Sequence, residues 1–315
     1  MSTLSKSKFY AKILLFGEYG IIHDSMGLSI PFNFYTGTLK FTDLSDNESA
    51  NSNKSLLKFY NYLVEKNEIS GFLPEMDLVA FANDIKNGLT FDSSIPQGFG
   101  VGSSGALVAA IYSRYAIGKI QPETNIHKKD ILKLKSWFGN MENFFHGRSS
   151  GLDPLICYMN IPILIKSKNE LDTIGIPSQN KDGKSAIFLI DSGTPGETGP
   201  MVNIFLEKMK NEGFRKVLSE QFKIYNDACI KAFLKHDFKP LFSNLKLLSK
   251  VVLDNFKPMI PPNFHKIWKE GIDSNTYYLK LCGSGGGGFI LGFAPDYSKA
   301  LPKLENYNPE VIYTF

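Results

Sequence analysis

A glycine-rich segment in the first half of the chain constrains the fold most. Residues 96–105 read PQGFGVGSSG, and they lie between an apolar strand pattern at Leu89–Ile95 and a helical pattern at Ala106–Ala116. Glycines at alternate positions allow backbone conformations that are closed to other residues. A glycine loop that runs into a helix presents backbone N–H groups suited to phosphate. The segment therefore predicts either a structural turn or a phosphate-binding loop.

Two common nucleotide-binding patterns do not fit this loop. No lysine follows its last glycine, as GxxxxGK[ST] requires, and no acidic residue follows a second strand at the distance of a Rossmann fingerprint. We therefore expect neither a P-loop fold nor a Rossmann fold.

Two carboxylates follow the loop at a spacing that permits a division of labour. Glu142 lies near the end of a helical pattern at 128–145, and Asp153 lies eleven positions later, after a Ser-Ser-Gly turn. One carboxylate would coordinate a magnesium ion that bridges nucleotide phosphates, together with the hydroxyl of Ser103 or Ser104. The other would accept the proton of a substrate hydroxyl. The alternatives are a solvated helix residue for Glu142 and a turn or cap residue for Asp153.

Lys12 lies inside an apolar strand pattern at Phe9–Phe16. An unpaired ammonium is costly in such a place, so we expect a carboxylate partner. The pair is either a structural salt bridge or a device that stabilises Asp153 as an anion.

A third glycine segment, KLCGSGGGG at 280–288, joins two apolar strand patterns and is longer than a tight hairpin needs. It predicts either backbone that approaches a ligand or a flexible hairpin tip.

Composition narrows the class of protein. The chain has 315 residues and a net charge of +4, with its lysines scattered among acids, so we expect two domains and no nucleic-acid partner. The three cysteines form no CxxC pair, which indicates a reducing, cytoplasmic location. The apolar N-terminal stretch is too short for a signal sequence or a membrane span, so we expect no membrane partner. The five histidines have no ligand spacing, so we expect no structural metal site.

Four motifs in this order resemble those of the GHMP kinases, the superfamily of galactokinase, homoserine kinase, mevalonate kinase and phosphomevalonate kinase. They are Lys12 followed by GE, the PxGxGxGSS loop, the SGxD turn and the GxGGGG loop. The segments AKILLFGE, MENFFHGRSSGLD and LKLCGSGGGG are most similar to mevalonate kinases.

The resemblance implies an α+β fold with a ribosomal-protein-S5-like N-terminal domain at 1–172 and a ferredoxin-like C-terminal domain at 173–315. It implies ATP-dependent phosphorylation of mevalonate to 5-phosphomevalonate, in isoprenoid precursor synthesis, with ATP and Mg²⁺ as cofactors and a possible homodimer. By the same resemblance Lys12 and Asp153 are the catalytic pair, and Ser104 and Glu142 are the magnesium ligands.

The resemblance also assigns binding residues. Those for the nucleotide are Pro96, Gly98, Gly100, Val101, Gly102, Ser103, Ser104, Gly105, Gly283, Gly285 and Gly286. Those for the substrate are Glu18, Tyr19, Ser150, Gly151 and Thr198.

Three positions depart from the mevalonate kinase pattern. Tyr19 replaces the usual histidine, Cys282 replaces a threonine, and Ser149 replaces a proline, which we expect to loosen the SGxD turn slightly. Two other functions stay open. In the first, the fold is the same but the acceptor is phosphomevalonate or a sugar, and Arg148 is a candidate cation for it. In the second, the chain is a nucleotide or metabolite sensor without turnover.

Overall fold

The structure is a computed structural model, and it describes residues 7–122, 126–167 and 169–315. These residues divide into two units, each assembled from several segments. Unit 1 comprises the described part of Met1–Lys12, with Pro31–Gln97 and Val101–Ile161, and unit 2 comprises Ile13–Ile30, Gly98–Gly100 and Pro162–Phe315. The predicted domain boundary at residue 172 stays a prediction. Residues 1–6, 123–125 and 168 of the predicted N-terminal domain lie outside the described residues.

Helices and strands follow one another in runs along the described chain. The strands are β1 (Phe9–Phe16), β2 (Gly27–Phe41), β3 (Leu89–Ser93), β4 (Ile163–Ser167), β5 (Glu170–Thr173), β6 (Ala186–Asp191), β7 (Tyr278–Leu281), β8 (Phe289–Ala294) and β9 (Glu310–Thr314). The helices are α1 (Asn47–Asn67), α2 (Leu78–Lys86), α3 (Ser103–Tyr115), α4 (Lys128–His146), α5 (Leu152–Met159), α6 (Thr198–Met209), α7 (Glu212–Val217), α8 (Lys223–Leu234), α9 (Phe238–Asn255), α10 (His265–Ser274) and α11 (Tyr297–Leu304).

Unit 1 packs its helices around α3. The second part of β2 pairs antiparallel with β3, from Gly37 opposite Ser93 to Phe41 opposite Leu89. Helix α3 packs against α4 and α5, and its apolar side chains are almost entirely buried. The ring of Tyr112 on α3 meets Phe138 of α4 edge to face, with the ring centroids 5.0 Å apart. This packing holds the start of α3 next to α5.

Unit 2 contains an antiparallel sheet in the order β7-β8-β6-β9. The strands β6 and β8 are buried along nearly their whole length, so their side chains form apolar runs rather than an alternating pattern. Trp268 of α10 is fully buried and its indole N–H donates to the carbonyl oxygen of Ser249 at 3.1 Å. The first residues of β2 and the strand β5 pair with β4 in a second antiparallel set.

Two predictions from local sequence are wrong. The polar run at 43–54 predicts a surface loop, but α1 begins at Asn47, because Asp46 caps it by accepting the N–H of Ser49 at 2.8 Å. The patterns at Leu28–Pro31 and Asn33–Phe41 predict two strands, but these residues form one strand, β2. Pro31 lies between the residues that pair with β4 and those that pair with β3.

The helices do not reach the length and apolarity of a membrane span. Within the described part of the chain, every helix is too short or too polar to cross a bilayer.

Two buried serines of unit 2 provide a matched test of this packing. Ser249 and Ser29 are both 1% exposed, but only Ser29 has a partner for its hydroxyl among the described residues, the carbonyl oxygen of Ile13 at 3.1 Å. We expect Ser249→Ala to raise the free energy of unfolding by about 1 kcal/mol, because it removes an unsatisfied buried hydroxyl. We expect Ser29→Ala to lower it by about 1 kcal/mol. Urea denaturation of both variants checks this; equal losses would contradict the assignment.

Candidate functional site

The start of α3 presents a set of backbone donors in unit 1. Gly102 precedes the helix with φ +84°, and no side chain caps the first turn. A Cβ atom at Gly102 would lie 3.0 Å from Cγ of Lys12, so a larger residue would displace that side chain. The free N–H groups and the helix dipole together favour an anion at this end of α3.

Lys12 and Asp153 form an ion pair within unit 1. The Nζ atom of Lys12 lies 2.9 Å from Oδ1 of Asp153, so the buried ammonium has the carboxylate partner that its place in β1 predicts. The Lys12 side chain is 3% exposed and that of Asp153 is 39% exposed. The pair is therefore anchored on the lysine side and accessible on the aspartate side.

Asp153 lies in the first turn of α5, beside the first turn of α3. A Cβ atom at Gly105 would lie 2.8 Å from the carbonyl carbon of Asp153 and the same distance from the nitrogen of Pro154. Only glycine permits this approach of the two backbones. Like α3, α5 has no side-chain cap, so two helix N-termini lie together and both favour negative charge.

Ser104 and Glu142 are the next pair in this cluster. The hydroxyl of Ser104 donates to Oε1 of Glu142 at 2.9 Å, and Nε2 of His146 lies 3.0 Å from the same hydroxyl oxygen. Neighbouring ligands of an octahedral magnesium ion are about 2.9 Å apart when the Mg–O bonds are 2.0–2.1 Å. The two oxygen atoms thus fit one edge of a magnesium site. The place of His146 at the end of a helical pattern predicts backbone partners for its ring, but its described hydrogen-bond partner is the Ser104 side chain.

The electrostatics of Glu142 follow from its burial. The residue is 3% exposed, and this burial raises the pKa of its carboxyl to about 7. The nearby charge of Asp153 adds to the rise, whereas hydrogen bonds from Ser149 and Ser104 and the charge of Lys12 lower the pKa. Burial lowers the pKa of His146 below its ordinary value. No group of three or more acidic, histidine or cysteine residues in the described chain forms a ready metal cage.

The glycines of two segments pack against each other in unit 2. A Cβ atom at Gly100 would lie 2.3 Å from the carbonyl oxygen of Cys282, and one at Gly288 would lie 2.5 Å from Cα of Phe99. The segment 283–288 is therefore packed against 98–100 rather than a free hairpin tip. Part of the glycine content of both loops serves this backbone packing and needs no ligand to explain it.

Two predicted substrate residues of unit 2 meet at one serine. The hydroxyl of Tyr19 donates to the carbonyl oxygen of Ser284 at 2.7 Å, and the hydroxyl of Ser284 donates to Oγ1 of Thr198 at 3.4 Å. Tyr19 has φ +58°, a strained conformation for a bulky residue. Burial raises the pKa of its phenol well above the ordinary value, and the charge of Glu18 adds to the rise.

Glu18 is held by a lysine that the sequence analysis missed. The Nζ atom of Lys280 lies 2.5 Å from Oε1 of Glu18, and both side chains are about 5% exposed, at 5% and 6%. Lys280 lies between two leucines in an apolar strand pattern, as Lys12 does. The argument that predicted a partner for Lys12 therefore applied to Lys280 as well.

The remaining predicted residues fall into the same two units. In unit 1, the carbonyl oxygen of Val101 accepts the N–H of Lys12 at 2.9 Å, Pro96 precedes the glycine loop, and Ser103 begins α3. The hydroxyl of Ser150 accepts the N–H of Leu152 at 3.4 Å, and Gly151 precedes α5. The other positions lie in unit 2: Gly98, Gly283, Gly285 and Gly286.

Comparison with known proteins gives a family match and a set of structural neighbours. Residues 61–160 match the family described as the GHMP kinases N terminal domain. A search of curated proteins found no match. The matched range includes Gly98–Gly105, Glu142 and Asp153.

Solved structures resemble the chain over nearly its whole length. The structure of L. major mevalonate kinase in complex with R-mevalonate has a TM-score of 0.64 at 16% identity, covering 99% of this chain and 97% of that one. The structure of Streptococcus pneumoniae phosphomevalonate kinase has a TM-score of 0.64 at 12% identity, covering 99% of both chains. The structure of Lactococcus lactis galactokinase has a TM-score of 0.65 at 12% identity, covering 99% of this chain and 94% of that one. At these identities the likeness shows the fold, and it confirms the α+β GHMP kinase architecture.

The turn before α5 provides a test of the site's geometry. Gly147 and Gly151 have φ +72° and +74°, but a Cβ atom would meet nothing within 4 Å at Gly147 and would lie 2.0 Å from the carbonyl oxygen of Lys135 at Gly151. We expect Gly147→Ala to cost about 1 kcal/mol of unfolding free energy, since only the left-handed conformation is strained. Gly151→Ala should cost at least about 2 kcal/mol more, because α5 must move from α4. Denaturation curves measure both, and equal losses would contradict this packing.

The Glu18–Lys280 pair gives a second test. We expect Lys280→Met to lower the free energy of unfolding by about 3–5 kcal/mol, because it removes the ammonium that contacts the buried carboxylate of Glu18. The double variant Glu18→Gln/Lys280→Met should regain part of that loss, since no unpaired charge remains. A single variant as stable as the parent protein would show that the pair is not buried as described.

Proposed function

We propose that this chain, which has the GHMP kinase fold and carries the GHMP kinase N-terminal domain over residues 61–160, transfers the γ-phosphoryl group of ATP to the hydroxyl of mevalonate. The products are ADP and 5-phosphomevalonate. One observation carries the proposal. A buried lysine, Lys12, is paired with a half-exposed aspartate, Asp153, at the start of α5, and Ser104 and Glu142 lie in the same cluster.

The reaction is a direct in-line transfer without a phosphoenzyme. The hydroxyl oxygen of the acceptor forms a bond to the γ-phosphorus, the bond from that phosphorus to the bridging oxygen breaks, and its electron pair leaves with ADP. The hydroxyl proton moves to Asp153. Because Lys12 contacts Oδ1, we assign Oδ2 to the acceptor hydroxyl. Lys12 holds the carboxylate in place and stabilises negative charge that develops at the acceptor oxygen.

The nucleotide phosphates have two kinds of partner in this proposal. Ser104 and Glu142 would hold a magnesium ion, which supplies charge neutralisation to the β- and γ-phosphates when it is bound. The uncapped first turn of α3 supplies N–H donors. The nucleotide roles of the backbones of 98–105 and 283–286 stay predictions from the sequence resemblance.

The choice of mevalonate as acceptor rests on sequence motifs. The segment HGRSSGLD fits the mevalonate kinase pattern better than that of phosphomevalonate kinase. Extra cations near the acceptor would favour a phosphorylated one, and Arg148, which is exposed beside the turn that carries Asp153, is the candidate for that role.

Two further candidates define the alternative outcomes. Phosphomevalonate or a sugar would use the same mechanism with another acceptor. A sensor without turnover has no chemical need for the Lys12–Asp153 pair together with the Ser104–Glu142 pair, which is why we place it last. A cytoplasmic location, a role in isoprenoid precursor synthesis and a homodimer stay predictions.

Asp153 is the residue to test. We expect Asp153→Ala to reduce transfer of label from [γ-³²P]ATP to mevalonate by about 10²–10⁴-fold, because it removes the proton acceptor. Equilibrium affinity for ATP should stay within about threefold, since Asp153 makes no assigned contact to the nucleotide. Label transfer on thin-layer plates and calorimetric titration measure the two quantities.

The matched control is Asp182→Ala, which removes an exposed aspartate in a turn of unit 2. It should leave both quantities unchanged. Loss of ATP binding in Asp153→Ala with little loss of transfer per bound nucleotide would contradict the assigned role.

A further inference from the structure

Ser149 occupies the position where the resembling kinases usually carry proline, and its side chain reaches Glu142. Its hydroxyl donates to Oε2 of Glu142 in a short hydrogen bond. The hydroxyl oxygen of Ser149 accepts a hydrogen bond from the N–H of Gly151 at 3.0 Å. Because that N–H occupies a lone pair of the hydroxyl oxygen, the single hydroxyl proton is directed at Glu142.

The position of Ser149 is itself fixed by its backbone. Its N–H donates to Oδ1 of Asn143 at 2.6 Å, one helical turn before the end of α4. The turn is thus tied to α4 at its backbone and at its side chain. This differs from the expectation that serine in place of proline loosens the turn, since the hydroxyl supplies contacts that a proline ring lacks.

Each carboxylate oxygen of Glu142 therefore accepts a hydrogen bond from one hydroxyl. Ser104 donates to Oε1 and Ser149 donates to Oε2, so the plane of the carboxylate is fixed from both sides. A glutamate side chain has three rotatable bonds, and an unsupported carboxylate would lose more freedom on binding a cation.

We infer that Ser149 is a positioning residue that holds the Glu142 carboxylate in the orientation that binds the nucleotide's divalent cation. The inference rests on the proposed function for the role of Glu142, but it concerns cation binding and needs no acceptor. Ser149 touches neither the acceptor nor the nucleotide in this account. It acts through Glu142, and through Gly151 it ties Glu142 to the turn that carries Asp153.

The test separates cation binding from nucleotide binding. Affinity for a non-hydrolysable ATP analogue is measured by calorimetry once with Mg²⁺ and once with EDTA, and the ratio reports the contribution of the cation. We expect Ser149→Ala to reduce this ratio by about 10-fold or more, as is typical when a partner of a metal ligand is lost. The affinity in EDTA should not change. Ser149→Thr, which keeps the hydroxyl, should restore the ratio.

Ser52→Ala is the matched control for loss of a structural hydroxyl. The Ser52 hydroxyl also donates to one group and accepts from another, the carbonyl oxygen and the N–H of Phe91, and it belongs to unit 1. This variant should leave the ratio unchanged.

The outcomes are distinguishable from failure of the proposed function. An unchanged ratio in Ser149→Ala, an equal decrease in Ser52→Ala, or a loss that Thr does not restore would overturn the inference. A parent protein that shows the Mg²⁺-dependent gain but phosphorylates no mevalonate would overturn the acceptor and leave the role of Ser149 supported by its own variants.

Discussion

The buried ammonium of Lys12 is the constraint on which the rest of unit 1 depends. An ammonium that is 3% exposed requires a nearby carboxylate, and Asp153 supplies it from the first turn of α5. To bring that turn to β1, the chain uses glycine at 102, beside the lysine stem, and at 105, beside the backbone of Asp153. The ion pair and the close approach of α3 and α5 are therefore one structural arrangement, and side chains larger than hydrogen at either glycine would disturb both.

The same arrangement leaves two helix starts that favour an anion and a buried carboxylate that favours a cation. Helices α3 and α5 begin next to each other without side-chain caps, and the carboxylate of Glu142 is buried and accepts hydrogen bonds from two hydroxyls. Departures from the rules for stable helices and buried charges are typical of functional sites. An anion at the helix starts and a cation at Glu142 would relieve both, which is the charge pattern of a nucleotide phosphate with its divalent ion.

Local patterns predicted much of this structure. The strands at Phe9–Phe16 and Leu89–Ser93 and the helix at Lys128–His146 follow from apolar periodicity, and the ion-pair requirement of Lys12 follows from a charge in an apolar run. The parts that escaped prediction depend on tertiary contact. A polar stretch became the first turns of α1 because its later residues bury Leu56, Phe59 and Leu63. The hydroxyl of Ser149 gained its role only where the fold brings it to Glu142.

The central claim is that the chain is a kinase whose acceptor is mevalonate. The most direct measurement is ADP release with Mg²⁺-ATP against a panel of mevalonate, 5-phosphomevalonate, galactose and homoserine, under matched concentrations. Our account predicts turnover with mevalonate and background rates with the other three. Turnover with another member of the panel would contradict the proposed acceptor while keeping the mechanism, and background rates with all four would contradict the proposed activity.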